Sequence, residues 1–148
     1  IALQTTNDGT EAFVVTGPPT ANAVIRVRSS SFPNNFAVSS PFSIVNGSIT
    51  VASPNGGEEW RVGQQATIAW TSVGLGQDDG SNGQVMIEIS RNGGASFQTL
   101  VAATANDGSE VITVTGPDTA QARIRVSFIG APAVSDTSDS NFTIVTPG

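Results

Sequence analysis

The sequence predicts an all-β protein built as an antiparallel β-sandwich, and three observations support this. The 148 residues include 16 Gly and 8 Pro, are rich in Ser, Thr, Asn and Val, and contain few runs of good helix formers. Short segments alternate apolar and polar side chains with the period of two that is typical of strands. In addition, one part of the strand pattern occurs twice. The chain is therefore expected to consist of short strands joined by turns.

The duplication is a sequence match between residues 1–48 and the last part of the chain. The offset is 99 residues, as between Asn7 and Asn106, and becomes 100 after one inserted residue. The matched segments are Asn7–Gly9 with Asn106–Gly108, Val15–Pro18 with Val114–Pro117, Ile25–Val27 with Ile124–Val126, and Phe42–Val45 with Phe142–Val145. A period near one hundred residues indicates an array of sandwich domains, each a complete unit. We therefore divide the chain into a half repeat, 1–48, and a complete repeat, 49–148.

The complete repeat is predicted to contain seven strands, with the count and spacing of an immunoglobulin-like sandwich. The strands are A (Ile49–Ser53), B (Ala66–Thr71), C (Val85–Ser90), D (Phe97–Ala102), E (Val111–Thr115), F (Ala122–Phe128) and G (Asn141–Val145). Alternation directs these apolar side chains to the core: Ile68, Trp70, Val85, Ile87, Ile89, Ile112, Val114, Ala122, Ile124, Val126, Phe128, Phe142 and Ile144.

Strands C and F are neighbours in that topology. Glu88 of strand C is therefore predicted to pair with Arg123 or Arg125 of strand F across the sheet.

The half repeat contains segments that match strands D, E, F and G, but none that match A, B and C. Its inward-facing residues therefore lack an opposing sheet within this chain, and they are Val15, Ile25, Val27, Phe42 and Ile44. Exposed apolar faces and sheet edges tend to associate with other chains. Either the half repeat belongs to a longer array, or strands from another molecule close its core. Both alternatives stay open at this point.

Composition and charge exclude several function classes. The net charge of −6, from six Arg, no Lys and twelve acids, argues against nucleic acid as a partner. No apolar run of membrane-spanning length occurs, so no membrane insertion is expected. Without His, Lys, Cys or Tyr, only carboxylates remain for acid–base catalysis, and a glycosidase needs two of them across a cleft. A thin sandwich is not expected to form that cleft, and we predict that the protein is not an enzyme.

Trp60 and Arg61 are the candidate ligand-binding residues. A flat indole covers the apolar face of a pyranose ring, and Trp60 lies beside charged residues outside the predicted strands. The alternative is that Trp60 packs under the turn between strands A and B.

Two acidic loops have the oxygen ligands that calcium prefers. Asp78 and Asp79 lie in the loop between strands B and C, and Asp136 and Asp139 lie before strand G. A solvated loop is the alternative in both places, because neither has the full ligand spacing of an EF-hand. Calcium is the one cofactor suggested.

Two Asn-x-Ser/Thr tripeptides, at Asn46 and Asn141, are candidate glycosylation sites for a secreted protein.

The segments Ser53–Trp60, Ile68–Trp70, Ile87–Gly94 and Ala122–Val126, together with Gly63, resemble a known family. It is the Ser-Thr-rich, often surface-anchored Ig-like repeat family named after yeast cell-wall synthesis proteins, which is common in secreted multidomain microbial proteins. The resemblance covers the complete repeat fully and the half repeat in part. It implies a non-catalytic β-sandwich that is extracellular or on the cell surface.

The hairpin Ser90–Phe97 departs from that family, which usually has Asp and Thr-Trp where this chain has Asn92 and Ser96-Phe97. It is similar to the Asp-box turn of sialidase-type propellers, where the turn is structural. Gly93 and Gly94 are expected to adopt positive φ, and Asn92 to bond the backbone two residues on.

Two function classes follow from these expectations. The first is a structural or adhesive repeat of a surface protein or extracellular filament, whose partners are copies of itself or neighbouring repeats. The second is an accessory module of a secreted hydrolase, which binds carbohydrate or cell wall.

Overall fold

A computed structural model of the chain describes residues 4–13, 15, 18–75 and 83–148. These residues form thirteen β-strands and no helix, which confirms the all-β prediction. Accordingly, the described residues contain no helix long and apolar enough to cross a membrane. The chain forms two compact units, Ile1–Asn46 and Gly47–Gly148, which we call the half unit and the full unit.

The full unit contains nine strands in two sheets. They are β5 (Ser48–Ser53), β6 (Glu59–Arg61), β7 (Gln65–Val73), β8 (Gln84–Ser90), β9 (Gln98–Ala105), β10 (Ser109–Thr113), β11 (Thr119–Phe128), β12 (Ser135–Thr137) and β13 (Phe142–Val145). The smaller sheet has the order β10-β7-β5. The larger has the order β6-β13-β11-β8-β9, with β12 also paired to β11. All neighbours are antiparallel except β6 and β13.

The core of the full unit takes side chains from both sheets, as a β-sandwich requires. Ile68 and Trp70 come from the smaller sheet, while Ile87 and Val126 come from the larger. Every residue that alternation directed inward is buried, apart from Ile112, which is partly buried and packs against the core. The period of two therefore predicts the core correctly.

Two strands of the full unit were not predicted, so the expected seven-strand count is wrong. These are β6 and β12, each three residues long with the sequences Glu-Trp-Arg and Ser-Asp-Thr. They are held by backbone pairing with β13 and β11, respectively. Such short, mostly polar segments carry no alternation signal, which explains why the pattern did not reveal them.

The predicted pairing between strands C and F is confirmed. Arg125 lies opposite Glu88 in the β8–β11 ladder, and their side chains form a 2.7 Å ion pair. The Arg125 guanidinium also lies 3.9 Å from the ring centroid of Phe97. Arg123, the other candidate, instead donates through Nε to Oδ1 of Asn141 at 2.7 Å.

The full unit divides into a first part, residues 47–99, and a second part, residues 100–148, and the half unit repeats β11, β12 and β13 of the second part. It contains β1 (Thr20–Ala23), β2 (Arg26–Arg28), β3 (Phe36–Val38) and β4 (Phe42–Ile44). The partners Thr20↔Ile44 and Ala23↔Phe42 correspond to Thr119↔Ile144 and Ala122↔Phe142. The β2–β3 register likewise corresponds, residue by residue, to that of β11 and β12. The duplication seen in the sequence is therefore a duplication of structure.

The prediction of strand E in the half repeat is wrong for its described residues, and the counterpart of strand D, residues 1–3, lies outside the described residues. No strand is present in 4–13, where the counterparts of the end of β9 and of β10 fall. The full unit explains this difference. There, β9 pairs with β8 and β10 pairs with β7, and both partners belong to the first part of the repeat. Without such a partner, these residues have no ladder to join.

Candidate functional site

The five residues of the half repeat that were predicted to face inward are exposed or half-buried, and we call them the apolar face: Val15, Ile25, Val27, Phe42 and Ile44. Val27 is 71% exposed, whereas its counterpart Val126 is 0% exposed. Phe42 is 38% exposed and Phe142 is 1% exposed. Ile25 and Ile44 are half-buried. The counterparts of these residues are therefore core in the full unit, whereas the residues themselves are exposed or half-buried in the half unit.

The local structure around the apolar face matches that of the full unit, so a different backbone does not cause the exposure. Ser39 N donates to the carbonyl of Ile25 at 2.9 Å, as Ser138 N does to Ile124. Ile25 N donates to Ser39 Oγ at 3.0 Å, as Ile124 N does to Ser138 Oγ at 2.9 Å. The difference is that the full unit has a second sheet against this surface.

Trp60 does not form a sugar platform. It lies in β6, which runs parallel to β13, and its side chain is only 8% exposed. The indole stacks on Phe142 with ring centroids 4.6 Å apart. Arg61 points to solvent and forms an ion pair with Glu59 at 2.7 Å. The packing alternative therefore describes Trp60, whose buried indole is not open to stack on a sugar beside Arg61.

Asp136 and Asp139 both act as hydrogen-bond acceptors within the full unit. Asp136 Oδ2 accepts from Val51 N at 2.8 Å, and Asp139 Oδ2 accepts from Asn55 Nδ2 at 2.9 Å. These bonds connect the segment before β13 to β5 and to the turn that follows it. Asp78 and Asp79 lie outside the described residues. Within the described residues, no group of three acidic side chains is arranged to hold a metal ion.

The two sequon asparagines differ in their surroundings. Asn46 is exposed, while Asn141 is half-buried and accepts the bond from Arg123 described above.

The hairpin turn between β8 and β9 has the predicted glycine geometry. Gly93 and Gly94 have φ values of 73° and 95°, in the left-handed region that favours glycine. Asn92 was expected to bond the backbone two residues on, and this is wrong. Its Oδ1 accepts from Ser96 N, four residues on, at 2.9 Å. The buried Ser90 closes the turn by accepting from Gly94 N at 2.8 Å. These bonds give the hairpin a structural role.

Glu58 organises the turn after β5, a role that the sequence analysis missed. Its carboxylate accepts from the backbone N–H groups of Asn55 and Gly56, both at 2.8 Å. Burial alone would raise the pKa of Glu58, but the backbone N–H donors of Asn55, Glu58 itself and Gly56 lower it below its ordinary value. The signal was a glutamate two to three residues after an Asn-Gly pair, whose amides need an acceptor.

We expect Glu58→Gln to lower the free energy of unfolding by about 1 kcal/mol at neutral pH, since charged acceptors bind amides more strongly. The folded-state pKa lies below the unfolded value of about 4.3, so this contribution is complete well above that pH. It is lost as the pH falls through the folded-state pKa. The difference between wild type and variant should narrow from pH 7 towards pH 3 in urea unfolding. Glu59→Gln, at an exposed neighbour, is the control, and a difference that widens on acidification would contradict the assignment.

A shallow pocket of about 250 Å³ lies near the β8–β9 hairpin of the full unit. Its lining residues are Ile89, Arg91, Asn92, Ser96, Gln98 and Pro117. Arg91 donates through an Nη nitrogen to the carbonyl of Thr115 at 3.0 Å. Its Nε is buried and, within the described part of the chain, has no hydrogen-bond partner. The pocket is therefore lined by one buried donor that has no acceptor among the described residues.

Comparison of the chain with protein-family models gives no match, and comparison with curated proteins gives no significant match. The resemblance to the cell-wall Ig-like repeat family therefore stays a prediction.

Proposed function

We propose that this protein is a non-catalytic, extracellular or cell-surface structural repeat that acts by contact, with the half unit completed by strands of a neighbouring repeat. The observation that carries the proposal is the apolar face, whose residues are exposed or half-buried while their counterparts are buried. Val15 is 59% exposed, for example, and Val114 is 2% exposed. The same residue types form a core in the full unit. Where they are open to solvent in the half unit, they have the apolar composition that is typical of a protein–protein interface.

The polar groups of the full unit support a structural role over a catalytic one. Asp136 and Asp139 accept hydrogen bonds that connect the end of the chain to β5 and its turn, and Glu58 holds that turn. Glu88 pairs with Arg125 across the sheet. Each of these carboxylates is engaged by a group of its own fold, whereas acid–base hydrolysis of a glycosidic bond requires two carboxyl groups that act on a substrate.

An accessory carbohydrate- or cell-wall-binding module is the second candidate. The pocket beside Arg91 favours it, because it combines a guanidinium with the amide side chains of Asn92 and Gln98. Polar groups of this kind orient sugar hydroxyls. The burial of Trp60 removes the stacking surface that such a module commonly uses.

If the apolar face makes contacts, the chain should self-associate with increasing concentration. Val27→Asp is expected to weaken this association at least about 10-fold, since a buried, unpaired carboxylate is strongly unfavourable in an apolar interface. Static light scattering and sedimentation velocity measure the effect. Val111→Asp is the matched control, because Val111 is also exposed and lies in the full unit.

Association that is equally weakened by both variants would show that net charge, and not the apolar face, is responsible. A chain that stays monomeric at high concentration and is retained on insoluble polysaccharide would favour the binding module instead.

A further inference from the structure

Three polar side chains in the second part of the full unit take their partners from its first part. Asn106, which is buried, accepts from Trp70 Nε1 at 2.8 Å. Ser138, also buried, donates through Oγ to the carbonyl of Pro54 at 2.7 Å. Arg125 pairs with Glu88. These contacts connect the two parts of one repeat by specific bonds, in addition to apolar packing.

The half unit carries the same three residue types at the counterpart positions: Asn7, Ser39 and Arg26. All three are exposed. Ser39 Oγ donates to the neighbouring carbonyl of Ser40 at 2.9 Å, in place of a carbonyl from an opposing segment. Arg26 lies 6.0 Å from the ring centroid of Phe36. The half unit therefore presents both the apolar and the polar groups that hold the first part of a repeat.

The residues that supply these partners occur once in the 148-residue chain. They lie between Pro54 and Glu88, and the apolar residues of the same segment are already buried in the full unit, Ile68 and Ile87 at 0% exposure. A second copy of this chain has its own segment buried in the same way. The partner of the half unit must then be a further segment of the same kind.

We propose that the apolar face is the docking site for the first part of another repeat, a segment outside these 148 residues with the pattern of Ser48–Thr99. Its tryptophan, counterpart of Trp70, donates to Asn7, and its glutamate, counterpart of Glu88, pairs with Arg26. The strands of this docking segment pair with residues 4–13 of the half unit, and these residues then form the missing counterparts of β9 and β10. The inference names the partner of the proposed structural repeat and rests on that function.

The test is a chain in which a copy of residues 47–99 is joined directly to Ile1, so that the counterpart of Leu100 follows Thr99 in register. Amide hydrogen exchange, resolved by peptide mass spectrometry, reports each unit separately. Exchange of residues 4–13 and 24–45 is expected to slow on the order of 100-fold and to approach that of residues 103–112 and 123–145. The fused chain should also lose the self-association expected of the original chain.

Two controls separate specific docking from general collapse. In the first, Ile68→Asp and Trp70→Asp in the added copy alone should leave exchange of the half unit unchanged. In the second, Glu88→Arg in the added copy places two guanidinium groups together and should reduce the protection at least 10-fold. Arg26→Glu in the same chain restores the opposite charges and should recover that protection.

Unchanged exchange in the fused chain, or equal protection with the doubly substituted copy, would overturn the inference. So would protection of residues 24–45 in a dimer of the original chain that equals the protection in the fused chain, because a second copy would then be a complete occupant. Protection in the fused chain without self-association of the original chain would support the docking inference but count against the proposed function. The experiment therefore distinguishes failure of the inference from failure of the proposed function.

Discussion

Phe142→Ala should lower the free energy of unfolding of the full unit by about 3–5 kcal/mol, whereas Phe42→Ala should change it by less than about 0.5 kcal/mol. Phe142 is 1% exposed and stacks on Trp60, so its removal leaves a cavity in the core. Phe42 occupies the counterpart position on an exposed surface. In urea, the unfolding midpoint of the first variant should fall by about 2 M.

Tryptophan fluorescence is the appropriate measurement because both tryptophans, Trp60 and Trp70, belong to the full unit. The signal therefore follows that unit alone. A loss below about 1 kcal/mol for Phe142→Ala would contradict its place in the core. An equal shift for Phe42→Ala would show that Phe42 also contributes to the stability of the full unit.

Alternation and duplication together predicted most of the fold. Both depend on side-chain pattern, and the pattern is strong wherever a strand has one buried face, as in Val85–Ile89. It fails for Trp60, which has charged neighbours and lies in a three-residue strand held by backbone bonds. A single apolar residue between polar ones carries no period, and only the tertiary fold shows that it is buried.

The apolar face was predictable for a different reason. An internal repeat provides its own comparison, since each residue of the half unit has a counterpart whose burial follows from the complete pattern. What the sequence did not reveal is the set of polar bonds between the two parts of the repeat. Asn106 and Ser138 look like ordinary turn residues, and only the fold shows that they are buried against Trp70 and Pro54.

Asn106→Ala should lower the free energy of unfolding of the full unit by about 2–3 kcal/mol, because it leaves the indole N–H of Trp70 buried without an acceptor. It also removes the 3.0 Å bond from Asn106 Nδ2 to Ser72 Oγ. Asn7→Ala is the matched control, with an expected change below about 0.5 kcal/mol at an exposed position.

Trp70→Phe completes a double-mutant cycle, since phenylalanine keeps the ring but has no N–H to satisfy. Trp60 remains as the fluorescence probe. The two substitutions together should cost less than the sum of their separate effects, with a coupling of about 1 kcal/mol. Strict additivity would mean that the Asn106–Trp70 bond contributes nothing of its own. A bond from the tryptophan of a docking segment to Asn7 would then add nothing to docking. The cycle therefore measures, in the full unit, the strength of the bond that we propose between Asn7 and that tryptophan.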